Sequence, residues 1–404
     1  MRLMNESQDK EGSEEMSRTT LPLDGVTVLD AAHMMAGGLV GRICADLGAR
    51  VIKVEGPDGE VLRGEDHPGW LPNPTFLALH RDQETVMLDL KEPSGLDAFL
   101  AIVDGADVVV QNYRAGVAER LGIGYEDLRT RKPSLVYCSV SGFGSTGPLA
   151  QLATIDGVIQ AFSGILEKTG TSEGSFGAPS GIVLADLYTG TIAALAVVAA
   201  LLERTRTGVG SYIDISMAEA GLYARMISCE GGMPAPQTIV VESSDGVALL
   251  IQTPRRYEGR LFDCLRRQVD TDADLQALYD AAMGGGEGQV AEYRDTIETI
   301  IQQRPIETWL KCFGDAGVPA SPRQTYDEAL QHEQIRARDA STLVEVPGYG
   351  VMPVAAPPFV FDGFRRMVTT APLRLGFDTE AVLEEFGHRK TTASDDVDKA
   401  ENID

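Results

Sequence analysis

The chain has 404 residues, with 60 acidic against 35 basic side chains and a formal net charge of -25. A chain of that length exceeds what one hydrophobic core usually organises, so two structural units are expected, in tandem or one inserted in the other. The charge disfavours nucleic acid and anionic lipid surfaces as partners, because binding them takes basic clusters; an anionic ligand has to be met by local arginines or backbone N–H groups.

Residues 1–20 are polar and acidic and have no basic stretch followed by an apolar one, so they read as a disordered leader and not as a secretory signal. From Leu21 onward, short β-branched runs alternate with helical stretches. Strand signals fall at 26–29, 50–54, 85–88, 107–111 and 135–140, and helix signals at 39–47, 94–103 and 117–120. This alternation predicts an α/β fold with a doubly wound parallel sheet. A long apolar helix is expected over 184–204, closed by the turn Arg206-Thr207-Gly208-Val209-Gly210 and followed by a strand over 211–215. Its most apolar part, 191–202, is too short to span a bilayer, and no transmembrane segment is expected.

After Ala220 the pattern changes. Gly231-Gly232-Met233-Pro234 breaks the chain, and short strands then mix with helices such as 306–316, so a smaller α+β domain with its linkers is assigned to 221–341. Gly284-Gly285-Gly286-Glu287-Gly288 has neither the preceding strand nor the Lys-Ser/Thr ending of a phosphate loop and reads as a flexible surface loop. Strand and helix signals return over 342–361 and 379–386. The large domain is therefore discontinuous, 21–220 with 342–390, and the polar acidic stretch 391–404 reads as a disordered tail. The five cysteines, Cys44, Cys138, Cys229, Cys264 and Cys312, form no CxxC pair, so neither a zinc site nor a disulfide framework is signalled, and a reducing cytoplasm fits.

Two places could carry chemistry. Asp30-Ala31-Ala32-His33-Met34-Met35-Ala36-Gly37-Gly38 joins a strand to a helix and could aim N–H groups at a phosphate or carboxylate, although a tight βα turn looks the same. Asp186 opens the long apolar helix. A carboxylate there can be a cap for free N–H groups, or, with the small residues Thr189, Gly190 and Ala193 leaving room for a ligand, a nucleophile.

An ordered set of short segments resembles the family III CoA-transferases, from Leu21 to about His388. It comprises Leu23-Asp24-Gly25-Val26-Thr27-Val28-Leu29-Asp30, Gly48-Ala49-Arg50-Val51-Ile52-Lys53-Val54-Glu55, Leu88-Asp89-Leu90-Lys91 and Ala106-Asp107-Val108-Val109-Val110-Gln111-Asn112-Tyr113-Arg114. Ser141-Gly142-Phe143-Gly144-Ser145-Thr146-Gly147-Pro148, Gln160-Ala161-Phe162-Ser163-Gly164, the stretch from Asp186 to Gly190, Arg206-Thr207-Gly208-Val209-Gly210, Ala316-Gly317-Val318-Pro319 and Thr379-Glu380-Ala381-Val382-Leu383 continue it.

The resemblance implies that Asp186 is the catalytic nucleophile, forming first a mixed anhydride and then an aspartyl-CoA thioester. It also implies that His33, Met35, Ala36, Leu88, Lys91, Asn112, Tyr113, Arg114 and Arg120 contact CoA and that Asp156 is a further acidic group of the site. CoA is then a substrate and not a tightly bound cofactor, succinyl-CoA is a candidate donor, and the partners are an acyl-CoA and a carboxylic acid. An interlocked dimer is implied, a homodimer or a heteromer with a paralogous subunit. Three departures from the family pattern stand out: Gly56 and Ala153 replace basic positions, and His80-Arg81-Asp82-Gln83-Glu84 replaces an Asn-rich basic stretch. CoA contacts are expected to shift to Arg63, Arg81 or Arg114, and Gly231-Gly232 stands in for a glycine-rich loop over the intermediate. A related racemase activity places a His-Asp pair where Ile155-Asp156 stand, so one proton-transfer group is missing; a non-catalytic subunit of a heteromer is the other alternative.

Overall fold

The structure is a computed structural model that describes residues 20–63, 74–168, 178–227, 237–254, 256–346, 350–367, 370 and 374–388. The leader, the tail, Cys229 and Gly231-Gly232 lie outside these residues. In chain order the elements are β1 (Thr27–Asp30), α1 (Met34–Asp46), β2 (Arg50–Glu55), α2 (Pro74–His80), β3 (Glu84–Met87), α3 (Pro93–Gly105), β4 (Val108–Gln111), α4 (Val117–Arg120), α5 (Tyr125–Arg131) and β5 (Val136–Ser141). They continue with α6 (Asp156–Phe162), α7 (Ile165–Lys168), α8 (Leu184–Thr207), β6 (Tyr212–Ser216), α9 (Met217–Ile227), β7 (Thr238–Glu242), β8 (Ala248–Gln252), α10 (Glu258–Gln268), α11 (Leu275–Met283) and α12 (Glu287–Ile301). The last are α13 (Ile306–Ala316), β9 (Ala320–Pro322), α14 (Tyr326–Gln331), α15 (Glu333–Arg336), β10 (Ser341–Val346), β11 (Gly350–Ala355) and α16 (Thr379–Glu385). They group into two compact units, one drawn from Met1–Ile227 and Arg336–Asp404, the other from Ser228–Ile335.

In the first unit six strands form one parallel sheet in the order β3-β2-β1-β4-β5-β6. The Val-rich β4 is buried at every position, as a strand covered on both faces must be. On one face α1 and α8 pack through Ala36, Val40, Cys44, Ala193, Ala194 and Val197; on the other α3 and α16 contribute Phe99, Ile102, Val103, Val382 and Leu383. The strand order reverses between β1 and β4, so the chain leaves them toward opposite faces and opens a crevice at their carboxyl ends.

The helix over 184–204 is observed as the 24-residue α8, which ends at Gly208 in the left-handed region, φ 71°, with its N–H on Arg204 O at 2.8 Å. It is the one described helix long and apolar enough, by length and composition alone, to cross a membrane; it lies against α1, β5, α6 and α9. The break expected after Ala220 falls later, because Met217 to Ile227 continue as a helix along α8.

The C-terminal segment closes the outer edge of β3. Asp378 Oδ2 accepts the N–H of Thr85 at 2.8 Å, Thr379 Oγ1 accepts that of Met87 at 3.0 Å, and Arg50 bridges Glu84 and Glu385 at 2.6 Å each. The β10-β11 hairpin rests on Leu77 of α2 through Val344 and Val346. In the second unit, the antiparallel sheet β7-β8-β9 buries alternate residues of β7 and β8 against α10 to α13, around Trp309, Tyr279, Tyr293 and Phe313. Here the glycine run is structured: Gly284 caps α11, and Glu287 and Gly288 already belong to α12.

Candidate active site

The turn after β1 is held from three sides. Asn112, just past β4, clamps the His33 peptide: its Oδ1 accepts the His33 N–H at 2.7 Å and its Nδ2 donates to the His33 carbonyl at 2.5 Å. Glu60 Oε1 accepts the N–H of Met34 at 2.7 Å, and Met34 sits in the left-handed region at φ 58°, a conformation that a non-glycine residue keeps only when its surroundings enforce it. Lys53 Nζ, buried at the centre of β2, donates to the Ala32 carbonyl and stands 3.8 Å from Asp30 Oδ1. Burial drives Asp30 above the ordinary carboxylate range against the attraction of Lys53. His33 is pushed down to about 4 by burial and then by Lys53, so its ring is neutral near pH 7; its Nε2 lies 3.4 Å from the Tyr113 hydroxyl.

The second half of the site is the start of α8. Asp186 lies in its first turn, and Gly190, one turn on, lets α1 approach: a Cβ there would stand 2.6 Å from the Ala36 carbonyl oxygen and 2.8 Å from Leu39 Cβ. α8 thereby meets α1 at Ala36, with Asp186 one turn before that contact. Among the described residues the acceptor for the helix start is not Asp186 but Asp156, whose Oδ1 takes the N–H groups of Ala185 at 2.8 Å and Asp186 at 3.0 Å. Burial first, and the Asp156 charge second, push Asp186 up to about 7. Neither cause is a cation or a hydrogen-bond donor, so this carboxylate keeps its basicity.

The remaining expected residues gather along the same carboxyl edge of the sheet. Leu88 is buried behind β3 and Lys91 is exposed after it; Tyr113 and the exposed Arg114 follow β4, and Arg120 is exposed at the end of α4. Two of the three substitute arginines are committed elsewhere. Arg63 binds Glu55 at 2.5 Å and lies over the Phe76 ring, and Arg81 is nearly covered beside Asp46 at 3.8 Å; only Arg114 is open to a ligand. His80 is fully buried, with Nδ1 2.9 Å from Gln83 Oε1. Ile155, at the racemase histidine position, is 67% exposed and carries no proton-transfer group.

A half-buried carboxylate at a helix start, beside the switch-point crevice of a doubly wound sheet, is an arrangement suited to an enzyme site. The family model "CoA-transferase family III" matches residues 23–379, and the chain belongs to that family and is a transferase enzyme. It is 39% identical over 390 residues to the probable fatty acyl-CoA transferase Rv3272 of Mycobacterium tuberculosis, covering 89% of this chain and 97% of that one. The succinyl-CoA:mesaconate CoA-transferase of Haloarcula hispanica is 32% identical over 81% of this chain and 86% of its own. Among solved structures, a CaiB/BaiF family protein from Brucella suis superposes with a TM-score of 0.75 at 27% identity, covering 91% of this chain and all of its own.

Proposed function

We propose that the protein moves CoA from an acyl-CoA to a carboxylic acid through covalent intermediates on Asp186. A carboxylate oxygen of Asp186 attacks the thioester carbonyl; the C–S bond breaks, CoA leaves as thiolate and a mixed anhydride remains. The thiolate then attacks the aspartyl carbonyl, which frees the donor acid and leaves an aspartyl-CoA thioester. The acceptor carboxylate attacks that thioester to form a second anhydride, and the returning thiolate takes the new acyl group and restores Asp186. Each step exchanges one activated acyl bond for another, so the thioester energy is kept as long as water is excluded.

The observation that carries this reading is a carboxylate raised to about 7 by burial and by Asp156, set one helical turn from the contact with the Ala36 backbone. In the same reading His33, Met35, Ala36, Leu88, Asn112, Tyr113 and the cations Lys91, Arg114 and Arg120 hold CoA, which acts as substrate and not as a resident cofactor. Succinyl-CoA is the donor we favour, on the strength of relatives named for it. An interlocked homodimer in the cytoplasm completes the proposal; buried free cysteines such as Cys44 and Cys138 suit a reducing compartment, and sedimentation at nanomolar concentration tests the dimer.

The deciding experiment incubates parent and Asp186→Asn with acyl-CoA and a panel of acids, reading exchange by mass spectrometry. Asp186→Asn is expected to fold and to lose exchange by several orders of magnitude, and hydroxylamine added during turnover is expected to label Asp186 in the parent. Exchange by Asp186→Asn within about tenfold of the parent would end the relay reading.

A further inference from the structure

Gln160 is fully buried on α6 and takes no part in the chemistry above. Both ends of its carboxamide are used. Nε2 donates to Asp156 Oδ2, and Oε1 accepts the backbone N–H of Ser180 at 3.3 Å, on the segment that leads into α8. The other oxygen of Asp156 holds the N–H groups of Ala185 and Asp186. One line of hydrogen bonds thus runs from Ser180 through Gln160 and Asp156 to the backbone of Asp186.

We propose that Gln160 is a positioning residue for CoA transfer: by fixing Asp156 and Ser180 at once, it sets where the first turn of α8 presents Asp186. The proposal rests on Asp186 being the nucleophile. The position asks for a side chain that donates to an anion and accepts from a peptide N–H within one planar group, which an amide supplies. An ionised Glu has no donor, and a Met has neither function. Since Asp156 is buried and spends Oδ1 on the helix start, Oδ2 needs a donor of its own, and among the described residues Gln160 supplies it. Among the described charged groups of the elements packed on α6, Arg225 of α9 stands 3.7 Å from Glu167 of α7, Glu219 of α9 is exposed, and Asp186 is the acid in the first turn of α8.

The test compares Gln160→Met and Gln160→Glu with the parent for kcat and for KM of acyl-CoA between about pH 5 and 9. Gln160→Met is expected to lower kcat by about tenfold or more at every pH, with KM within about twofold. Gln160→Glu should behave differently. When protonated it donates to Asp156 and accepts from Ser180, so its kcat relative to the parent is expected to be highest at low pH and to fall as pH rises and the carboxyl ionises against Asp156. Equal, pH-independent losses in both variants would mark a packing role and overturn the proposal, as would kcat within about twofold of the parent in both, or a loss carried by KM alone. If Gln160→Met does not fold, the pH course of Gln160→Glu decides by itself. An active Asp186→Asn overturns the nucleophile reading, and this proposal with it; an inactive Asp186→Asn beside unaffected Gln160 variants overturns this proposal alone.

Discussion

Asp156 Oδ1 accepts the N–H groups of both Ala185 and Asp186, so a carboxylate 30 residues upstream serves as the cap of the helix that carries Asp186. This relationship stabilises the helix start and works against ionisation of Asp186, because the capping group is itself an acid. The same contact therefore has a structural and a chemical consequence.

The chemical consequence is a pH profile. In the proposed relay Asp186 has to be ionised to attack, and with its value raised to about 7, kcat/KM is expected to fall on an acid limb centred near 7, well above the ordinary carboxylate range. Asp156→Asn keeps an oxygen to cap α8 and removes the like charge, so its limb should move to lower pH. Initial-rate measurements across pH check both; a parent limb near pH 4 contradicts the desolvated site.

A second expectation concerns stability. The folded value of Asp186 is raised, so the fold retains the proton after the unfolded chain has lost it. Its contribution is fully present below about pH 4, declines as pH rises toward 7 and stays lost above. Asp186→Asn does not ionise and escapes that loss. Its melting temperature is expected to exceed that of the parent at pH 8 and to converge with it near pH 4, the gap corresponding to on the order of a few kcal/mol. Parallel melting curves across pH would remove the raised value.

Gly190 offers a test of how α8 is seated. Gly→Ala in an exposed helix stabilises by roughly 0.5–1 kcal/mol, but here the new Cβ would stand 2.6 Å from the Ala36 carbonyl and 2.8 Å from Leu39 Cβ. Overpacking of that kind costs about 1–3 kcal/mol, so the net effect is destabilising. Gly190→Ala is expected to unfold at lower urea and to lower kcat, since Asp186 moves with the helix. Unchanged kcat beside reduced stability would separate the seating of α8 from the chemistry.

Lys91 and Arg120 are exposed charges at the carboxyl edge of the sheet, where CoA phosphates are placed by the proposed function. Lys91→Ala and Arg120→Ala should raise KM for acyl-CoA more than they lower kcat, and the effect should shrink at high salt. Lys311→Ala, exposed on α13, serves as the control and should leave KM unchanged. Equal KM in all three would place the phosphates elsewhere.

Where local pattern decides structure, the chain could be read directly. The β-branched runs at 50–54 and 107–111 are strands β2 and β4, and the spans 117–120 and 306–316 coincide with α4 and α13. What pattern hides is pairing at long range. Asp186 by itself could be a helix cap or a nucleophile, and Asp156, 30 residues upstream, is seen to take the cap role only in the fold. Arg63 and Arg81 look like free cations until Glu55 and Asp46 are brought against them. Lys53 is a charged residue buried at the centre of a strand, and its partner Asp30 meets it only once β1 and β2 lie side by side.

The closure of β3 by Asp378 and Thr379 bears on how the protein is made. A ribosome delivers residues 20–227 long before 374–388, and the whole second unit is synthesised in between. Through that interval the N–H groups of Thr85 and Met87 face outward on an open sheet edge, the kind of edge that recruits strands from other chains. The nascent protein is thus most exposed to mispairing while the first part of its parallel sheet is already translated, and emergence of Asp378 and Thr379 is the event that seals it.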